Sequence, residues 1–487
     1  MQDTDMGEKN SGDPSQRNGL LASNDLVYLL PPDLSVSVNQ THKNQYFQST
    51  TYTNSERAVC ILNTGADYGD MRNSTLDFGI QVTLGAATQA LWFGRHGSIL
   101  NVIRSITISS RSGDELSRIE NSNLLNYTQN GYKYDKRWHE TVGQMIGLNQ
   151  TVMPVNVADA KFQTQRFSIP LYLLSDFFGY GRLMPPMVLS GLRVEIEWAP
   201  TAEIGVVFDA AVNGRDAAAG AVTSYTIDNP YISIRAVQLT DATQRALNEM
   251  SAVNGLELVY CDYERTDRSE ATSTLHMEIR KAASRALSCI MTSRVTADTT
   301  DVQKDSLRSE LWGIKRWQWQ LGSLYFPQQP VYSNVATANG PAYKILAESY
   351  KHALICFDKL KASNNKTVAT PLYKLADGFD NSSAVLTTPA ASAVTTPYSS
   401  GSNSLSFAGL SENAADFDYG TFANGNGIVA TTLERSDLFN LSGVPINNSR
   451  VLAIRAEYEG AAARTVTAFL KYVRLARVFM TNVEVEQ

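Results

Sequence analysis

Basic charge, histidine and cysteine are all in short supply in this chain. Against 48 Asp and Glu stand 42 Lys and Arg, a formal net charge of −6 over 487 residues. No surplus of cations is left to neutralise phosphates, the term that dominates nucleic-acid affinity, so sequence-specific nucleic-acid binding is not expected. The four cysteines, Cys60, Cys261, Cys289 and Cys356, lie far apart and form no Cys-x-x-Cys pair. That spacing suits neither a zinc site nor a redox motif, and free thiols in a reducing compartment are expected. The five histidines, His42, His96, His139, His276 and His352, are scattered with no His-Glu-x-x-His run. They read as surface or core residues, and no metal or cofactor is expected. No apolar run reaches the roughly 18 residues that suggest a membrane span. The start, MQDTDMGEKNSGDPSQRNG, is polar and lacks the apolar region of a secretory signal, so synthesis in the cytosol without a signal peptide is the expectation. Asn39, Asn73 and Asn126 each open an Asn-x-Ser/Thr triplet, read as chance in a chain so rich in these residues.

What is present is ordinary globular material, 43% hydrophobic, with 22 Tyr and 17 Phe to fill cores between sheets. A single core stops growing near 250–300 residues, so a chain of this length is expected to hold two or more domains. An internal echo agrees. Leu174-Ser175-Asp176-Phe177-Phe178 recurs as Arg435-Ser436-Asp437-Leu438-Phe439, each copy followed by Gly, Pro and an arginine-bearing strand. More than half the chain separates the copies, far too long a period for a solenoid, so two large tandem domains are implied.

Along the chain, residues up to about Asp25 read as a flexible arm. Leu26 to Leu30 is a short apolar patch, either an anchor onto a neighbour or a strand of the chain's own domain. Period-two alternation then marks strands. Ile99 to Ile108 shows Leu100, Val102, Ile106 and Ile108 on one face. Arg193 to Trp198 sends Val194, Ile196 and Trp198 one way and Glu195 and Glu197 the other. Tyr231 to Leu239 closes the first half. After the turn at Ser112-Gly113-Asp114, a short helix through Leu116, Ile119 and Leu124 is expected, capped by Ser112 or Asp114. DATQRALNEM, Asp241 to Met250, reads as a helical link. The second half repeats the order. Thr274 to Ile279 and Leu287 to Met291 are strands, Arg316 to Leu321 puts Trp317, Trp319 and Leu321 on one face, and Phe469 to Phe479 closes the repeat. Leu346, Tyr350, Ala353, Phe357 and Leu360 recur at helical spacing. Between Lys361 and Asn426 the sequence thins to Ala, Ser, Thr, Asn and Gly, as in NSSAVLTTPAASAVTTPYSSGSNS. Such a stretch builds no core of its own and reads as a long excursion from a β scaffold, where recognition usually resides.

No catalytic constellation stands out. A Gly-x-Ser-x-Gly elbow is absent, and Gly179-Tyr180-Gly181 lacks the third glycine of a dinucleotide turn. The best enzymatic candidate is Glu195 with Glu197, side by side on one strand face about 7 Å apart. Glycosidases need two carboxylates at such distances, but normally across a cleft, whereas strands with one wet face show this alternation routinely. No catalytic, cofactor-binding or metal-binding residue is assigned.

The order of these segments, twice over, resembles the double jelly-roll major capsid proteins of icosahedral double-stranded DNA viruses, from about Thr75 to Val485. Thr75–Val82 (TLDFGIQV) and Phe93–Tyr127 look like that family's early strands, turn and helix. Phe167–Trp198 looks like its Pro-Leu strand, loop and following strand. Trp317–Val331 (WQWQLGSLYFPQQPV) with Ala347–Leu360 (AESYKHALICFDKL) resembles the downstream strand and helix. In size the chain is nearer the compact capsid proteins of virophages and polinton-like viruses than the longer adenovirus hexons. The resemblance implies an all-β fold of two tandem eight-stranded antiparallel jelly rolls, with short helices and a long loop insertion in the second. It implies an N-terminal arm over 1–40, a first roll over 41–245 and a second over 246–487, with a tower-like insertion at 361–426 open to contact with a host surface. It further implies a non-enzymatic virion protein whose homotrimers form pseudo-hexameric capsomers. These would tile an icosahedral shell around a double-stranded DNA genome, beside neighbouring capsomers, penton proteins and minor capsid proteins. Jelly rolls also serve as lectin-like carbohydrate-binding domains, the principal alternative, and a glycoside hydrolase resting on Glu195 and Glu197 is the third.

Overall fold

The computed structural model describes residues 37–134 apart from 85–88 and 95, parts of 138–152, then 164–209, parts of 222–249, 256–297, 314–332, 343–357, 428–433 and parts of 443–486, with a few isolated positions between. The apolar patch at 26–30, the insertion at 361–426 and the second copy of the echo at 435–439 lie outside the described residues.

In the first half, eight strands carry the fold: β1 (Ser37–Tyr46), β2 (Arg57–Ile61), β3 (Tyr68–Thr83), β4 (Ile103–Ser109), β5 (Glu115–Glu120), β6 (Gln165–Pro170), β7 (Arg193–Trp198) and β8 (Ser224–Leu239). They form two antiparallel sheets, in the orders β1-β8-β3-β6 and β2-β7-β4-β5. In the second half, β9 (Leu256–Glu270), β10 (Thr274–Ile279), β11 (Ala283–Val295), β12 (Ile314–Leu321), β13 (Leu324–Tyr332), β14 (Val429–Thr432), β15 (Leu452–Tyr458) and β16 (Arg464–Val478) repeat the scheme. Their orders are β9-β16-β11-β14 and β10-β15-β12-β13, the same two sheets with every label advanced by eight. In each half the order crosses from one sheet to the other as a jelly roll requires, so the chain is a double jelly roll.

Alternation builds each sandwich. On β7, Val194, Ile196 and Trp198 are fully buried, and Trp198 meets Phe78 of the opposite sheet edge-on, ring centres 5.3 Å apart. On β12, Trp317, Trp319 and Leu321 point inward as their spacing predicts, against Leu452, Ile454 and Leu470. Each roll also places a helix in the same connection, after its fifth strand: α1 (Ser122–Tyr132) follows β5 and α2 (Tyr343–Cys356) follows β13. On α2, Ala353 is buried and Ser349 accepts a 2.9 Å hydrogen bond from the Trp317 indole, fixing the helix to the roll. The side chains of Leu346, Tyr350 and Leu360 lie outside the described residues. The two Ser-Asp echoes fall in matching connections as well, between β6 and β7 and between β14 and β15.

Four local expectations change. Leu116 and Ile119 belong to strand β5, not to a helix; β5 pairs with β4 across a hairpin turned at Gly113, whose φ of +97° suits glycine. Ser112 and Asp114 hydrogen-bond to each other inside that turn instead of capping, and the helix starts beyond Asn121. Ile99–Val102 is a 3-10 turn closed by Ser98 and Asn101, so the strand begins only at Ile103. β1 begins at Ser37, inside the span expected for the arm, because its backbone pairs with β8 from Ser37↔Leu239 onward. The described positions of the Asp241–Met250 link are helical.

Candidate functional site

The two rolls of one chain meet in a polar, buried joint, and the echo motif stands in it. β5 of the first roll lies against β9 of the second without backbone pairing between them. At the centre, Asp262 of β9 receives a 2.8 Å hydrogen bond from the Arg474 guanidinium of β16, with side chains only 1% and 5% exposed. Its other oxygen accepts from the Tyr263 N–H and from the Ser117 hydroxyl of β5, both at 3.0 Å. Ser117 is in turn 2.9 Å from the Ser175 hydroxyl of the echo. Since Ser117 spends its proton on Asp262, Ser175 is the donor between the two hydroxyls. Arg474 reaches the first roll directly, donating to the Glu115 carbonyl at 3.0 Å, and the Tyr260 hydroxyl donates to the Leu116 carbonyl at 2.5 Å.

Two more echo residues, with Tyr180 just beyond the echo, flank this network. Phe177 packs edge-on against Tyr260, ring centres 5.1 Å apart, Asp176 is 4.0 Å from the Lys471 ammonium, and Tyr180 donates to the Glu257 carbonyl at 3.0 Å. From α1, Gln129 donates to the Tyr263 hydroxyl at 3.0 Å. Leu258, Tyr260, Tyr263, Phe469, Ala476 and Val478 of the second roll belong to the same apolar cluster as the core of the first. A second tether lies further along, where Ser306 donates to the Ala202 carbonyl at 2.9 Å.

Burial is the main influence on the acid here: desolvation raises the Asp262 carboxyl above its ordinary value, opposed by Arg474, the Tyr263 N–H and Ser117. Desolvation raises the Tyr260 hydroxyl too. Glu115, Asp262 and Tyr263 also border a small cleft of about 220 Å³ whose walls include Glu120, Glu264, Arg265 and Lys281. The network itself acts as a fastener, in which a charge pair is tolerable only with its hydrogen bonds filled and therefore demands the correct partner surface.

Glu195 and Glu197 do share one strand face, on the outside of the β2-β7-β4-β5 sheet, in a charged cleft of about 440 Å³. Glu195 is bridged by Arg193 at 2.8 Å and Arg57 at 3.3 Å. Glu197 accepts from the Ser105 hydroxyl at 3.0 Å and lies 3.8 Å from Arg104. The third acid, Glu120, binds Arg118 at 2.6 Å and, across the joint, Arg265 of the second roll at 3.4 Å. Each carboxylate is paired with guanidinium groups, and Glu195 and Glu197 stand side by side on one strand, the alternation of a solvent-facing sheet surface. The second roll has its counterpart: Glu457, one residue before buried Tyr458 as Glu197 precedes Trp198, pairs with Arg316.

The histidines stay apart. His96 and His139 are buried, His139 facing the Asn130 carbonyl at 3.1 Å. His276 is exposed near Glu278, and His352 packs edge-on against Trp317. Among the described residues, no three His, Cys, Asp or Glu side chains converge as metal ligands, and no disulfide joins the four cysteines. The Asp262 and Arg474 pair had no local signature in the sequence; only the echo pointed toward its neighbourhood.

No protein-family model matches the sequence, and neither does any curated protein. Solved structures do match in fold. The Faustovirus major capsid protein superposes with a TM-score of 0.55 at 8% identity, covering 90% of this chain and 90% of that one. A protein in the cryo-EM structure of the Sputnik virophage gives 0.53 at 10% identity, over 99% of this chain and 93% of its own. PBCV-1 VP54, fitted into a reconstruction of the same virophage, gives 0.52 at 9% identity over 92% and 97%. The chain thus has the double jelly-roll fold found in these viral proteins along nearly its whole length.

Proposed function

We propose that this chain is a structural protein, the major capsid protein of an icosahedral double-stranded DNA virus, and that it assembles as a homotrimer with six jelly rolls arranged as a pseudo-hexameric capsomer. The observation that carries the reading is the joint. Two copies of one fold are fastened side by side through a buried network that includes the first copy of the repeated motif. A fold shared over nine-tenths of the chain with proteins of viral shells supports it. In this reading the protein resides in the virion shell, made in the host cytosol, with penton and minor capsid proteins as further partners. Residues 1–36 act as an inner arm, 37–245 and 246–487 as the two rolls, and the 361–426 insertion as an outward tower available for host contact.

The test is the mass of the purified protein in solution, followed by electron microscopy. A stable trimer that forms arrays or shells is expected. A monomer that binds glycans and never assembles would overturn the proposal in favour of a lectin-like protein.

A further inference from the structure

A second cleft, of about 560 Å³, is lined by Arg72 of β3, Lys133 and Tyr134 at the end of α1, Tyr172 in the turn after β6, and Asp176 and Gly179 in and beyond the echo. Where the cleft of Glu195 and Glu197 balances acids against bases, this one is rich in hydrogen-bond donors and poor in acceptors. Arg72 is exposed, and among the described residues its guanidinium has neither a hydrogen-bond nor an ion-pair partner. Lys133 donates to Gln129 Oε1 at 3.3 Å, which leaves two of its three N–H bonds free, and its ammonium lies 5.5 Å from the centre of the Tyr134 ring. The Tyr172 oxygen accepts from the Trp138 indole at 3.2 Å, so its own proton remains to be given. Burial raises the Tyr134 hydroxyl above the ordinary phenol value, which keeps it a protonated donor.

These donors are held in place before anything binds. Tyr134 stacks on Trp138, ring centres 3.8 Å apart, and the Trp138 indole is tied to Tyr172. Such pre-organisation lowers the entropy lost on binding. The negative groups nearby are engaged elsewhere. Asp176 lies 4.0 Å from the Lys471 ammonium, while Asp70 accepts from the Asn73 amide at 2.7 Å and lies 3.8 Å from Arg235. At the helix end, the Gln129 carbonyl accepts the Lys133 backbone N–H at 2.7 Å, and the Asn130 carbonyl faces His139 at 3.1 Å. Two cations and two phenolic protons are left without matching acceptors.

We propose that this cleft binds a phosphate group, with Arg72 and Lys133 balancing its charge and Tyr134 and Tyr172 donating to its oxygens. A carboxylate brings one charge and two oxygens. A phosphate group brings a charge of about −1.5 to −2 at neutral pH and at least three strong acceptor oxygens, which suits two cations and two hydroxyls better. The cleft is larger than a phosphate ion needs, so the free ion and a phosphomonoester share the chemistry that is recognised. Either one ties β3 to the end of α1 and to the echo loop beside the joint, and stabilises the folded chain by mass action. The site does not depend on the capsomer reading.

The experiment is a phosphorus NMR titration of the full chain, with inorganic phosphate in one arm and glycerol phosphate in the other, at ionic strength held constant with chloride. Wild type is compared with Arg72→Gln and Lys133→Gln, and circular dichroism checks folding. Arg72 is exposed and without a partner among the described residues, so the spectrum of its variant is expected to match wild type. Saturable line broadening is expected for wild type, weakened at least about tenfold by Arg72→Gln, which removes a charge-assisted fork. Phosphate is also expected to raise the thermal midpoint of wild type and not that of Arg72→Gln. Saturation by the free ion alone assigns inorganic phosphate as the ligand; equal or tighter binding of the ester assigns the phosphate group of a larger molecule. Wild type that shows no saturable broadening by either compound up to about 10 mM overturns the site. Binding that is unchanged in both variants overturns it too.

Discussion

Removing one member of the Asp262 and Arg474 pair should damage the protein far more than removing both. Asp262 accepts from Arg474, Ser117 and the Tyr263 N–H while almost wholly out of water. In Asp262→Asn the carbonyl oxygen can keep Ser117 and Tyr263, but the amide N–H then faces the guanidinium, donor against donor, and a buried cation loses its counter-charge. Breaking a buried pair in this way costs about 3–5 kcal/mol. Arg474→Met leaves the opposite charge, and here pH adds a sign. With the guanidinium gone, burial lifts the Asp262 carboxyl still further above its unfolded value of about 3.9. A raised acid stabilises the fold when protonated, so this variant loses stability as pH rises through that window, and its deficit relative to wild type narrows between pH 8 and pH 5. Asp262→Leu with Arg474→Met removes both charges and is expected to lie within about 2 kcal/mol of wild type. Urea unfolding of the four proteins at both pH values gives the coupling directly. Single variants that each cost less than about 1 kcal/mol, or a double variant equal to their sum, would refute the reasoning.

Three further outcomes follow from the same structure. Trp198→Ala and Trp317→Ala each empty a fully buried site between sheets and should cost about 3–5 kcal/mol in urea unfolding. Glu195→Ala removes only exposed bridges to Arg57 and Arg193, so the thermal midpoint should move by no more than about 1 kcal/mol implies. Burial pushes the Cys60 thiol up to about 12, and Cys289 is raised as well, so neither should react with a thiol reagent at pH 8 until the chain is unfolded.

Much of the fold was legible because one-sided burial writes itself into sequence as alternation. Val194, Ile196 and Trp198, and again Trp317, Trp319 and Leu321, face inward as their spacing predicts. The expected helix over Leu116, Ile119 and Leu124 failed because a spacing of three also arises in a strand with a bulge. β5 is such a strand: Ile119 and Ser117 lie opposite Ile106 and Ile108, Glu115 lies opposite Ser109, and Leu116 is the extra residue between. The echo was visible as repetition, yet its role was not, since Ser175 acts through Ser117 on a residue of the other roll. Glu195 and Glu197 were placed on the correct face, but their arginine partners come from β2, β4 and β7 itself, and only the sheet order assembles them.

The shared cluster also dictates something about how the molecule is made. Synthesis completes β8 before β9 exists, so the first roll can close its sandwich while Phe177 and the Ser117 to Ser175 pair still lack their cover. During that interval the only finished surface able to satisfy them belongs to the second roll of another, older molecule. Crowded translation of neighbouring chains therefore exposes this protein to exchange of halves, because the second roll of every copy brings the same complete Asp262 and Arg474 pair.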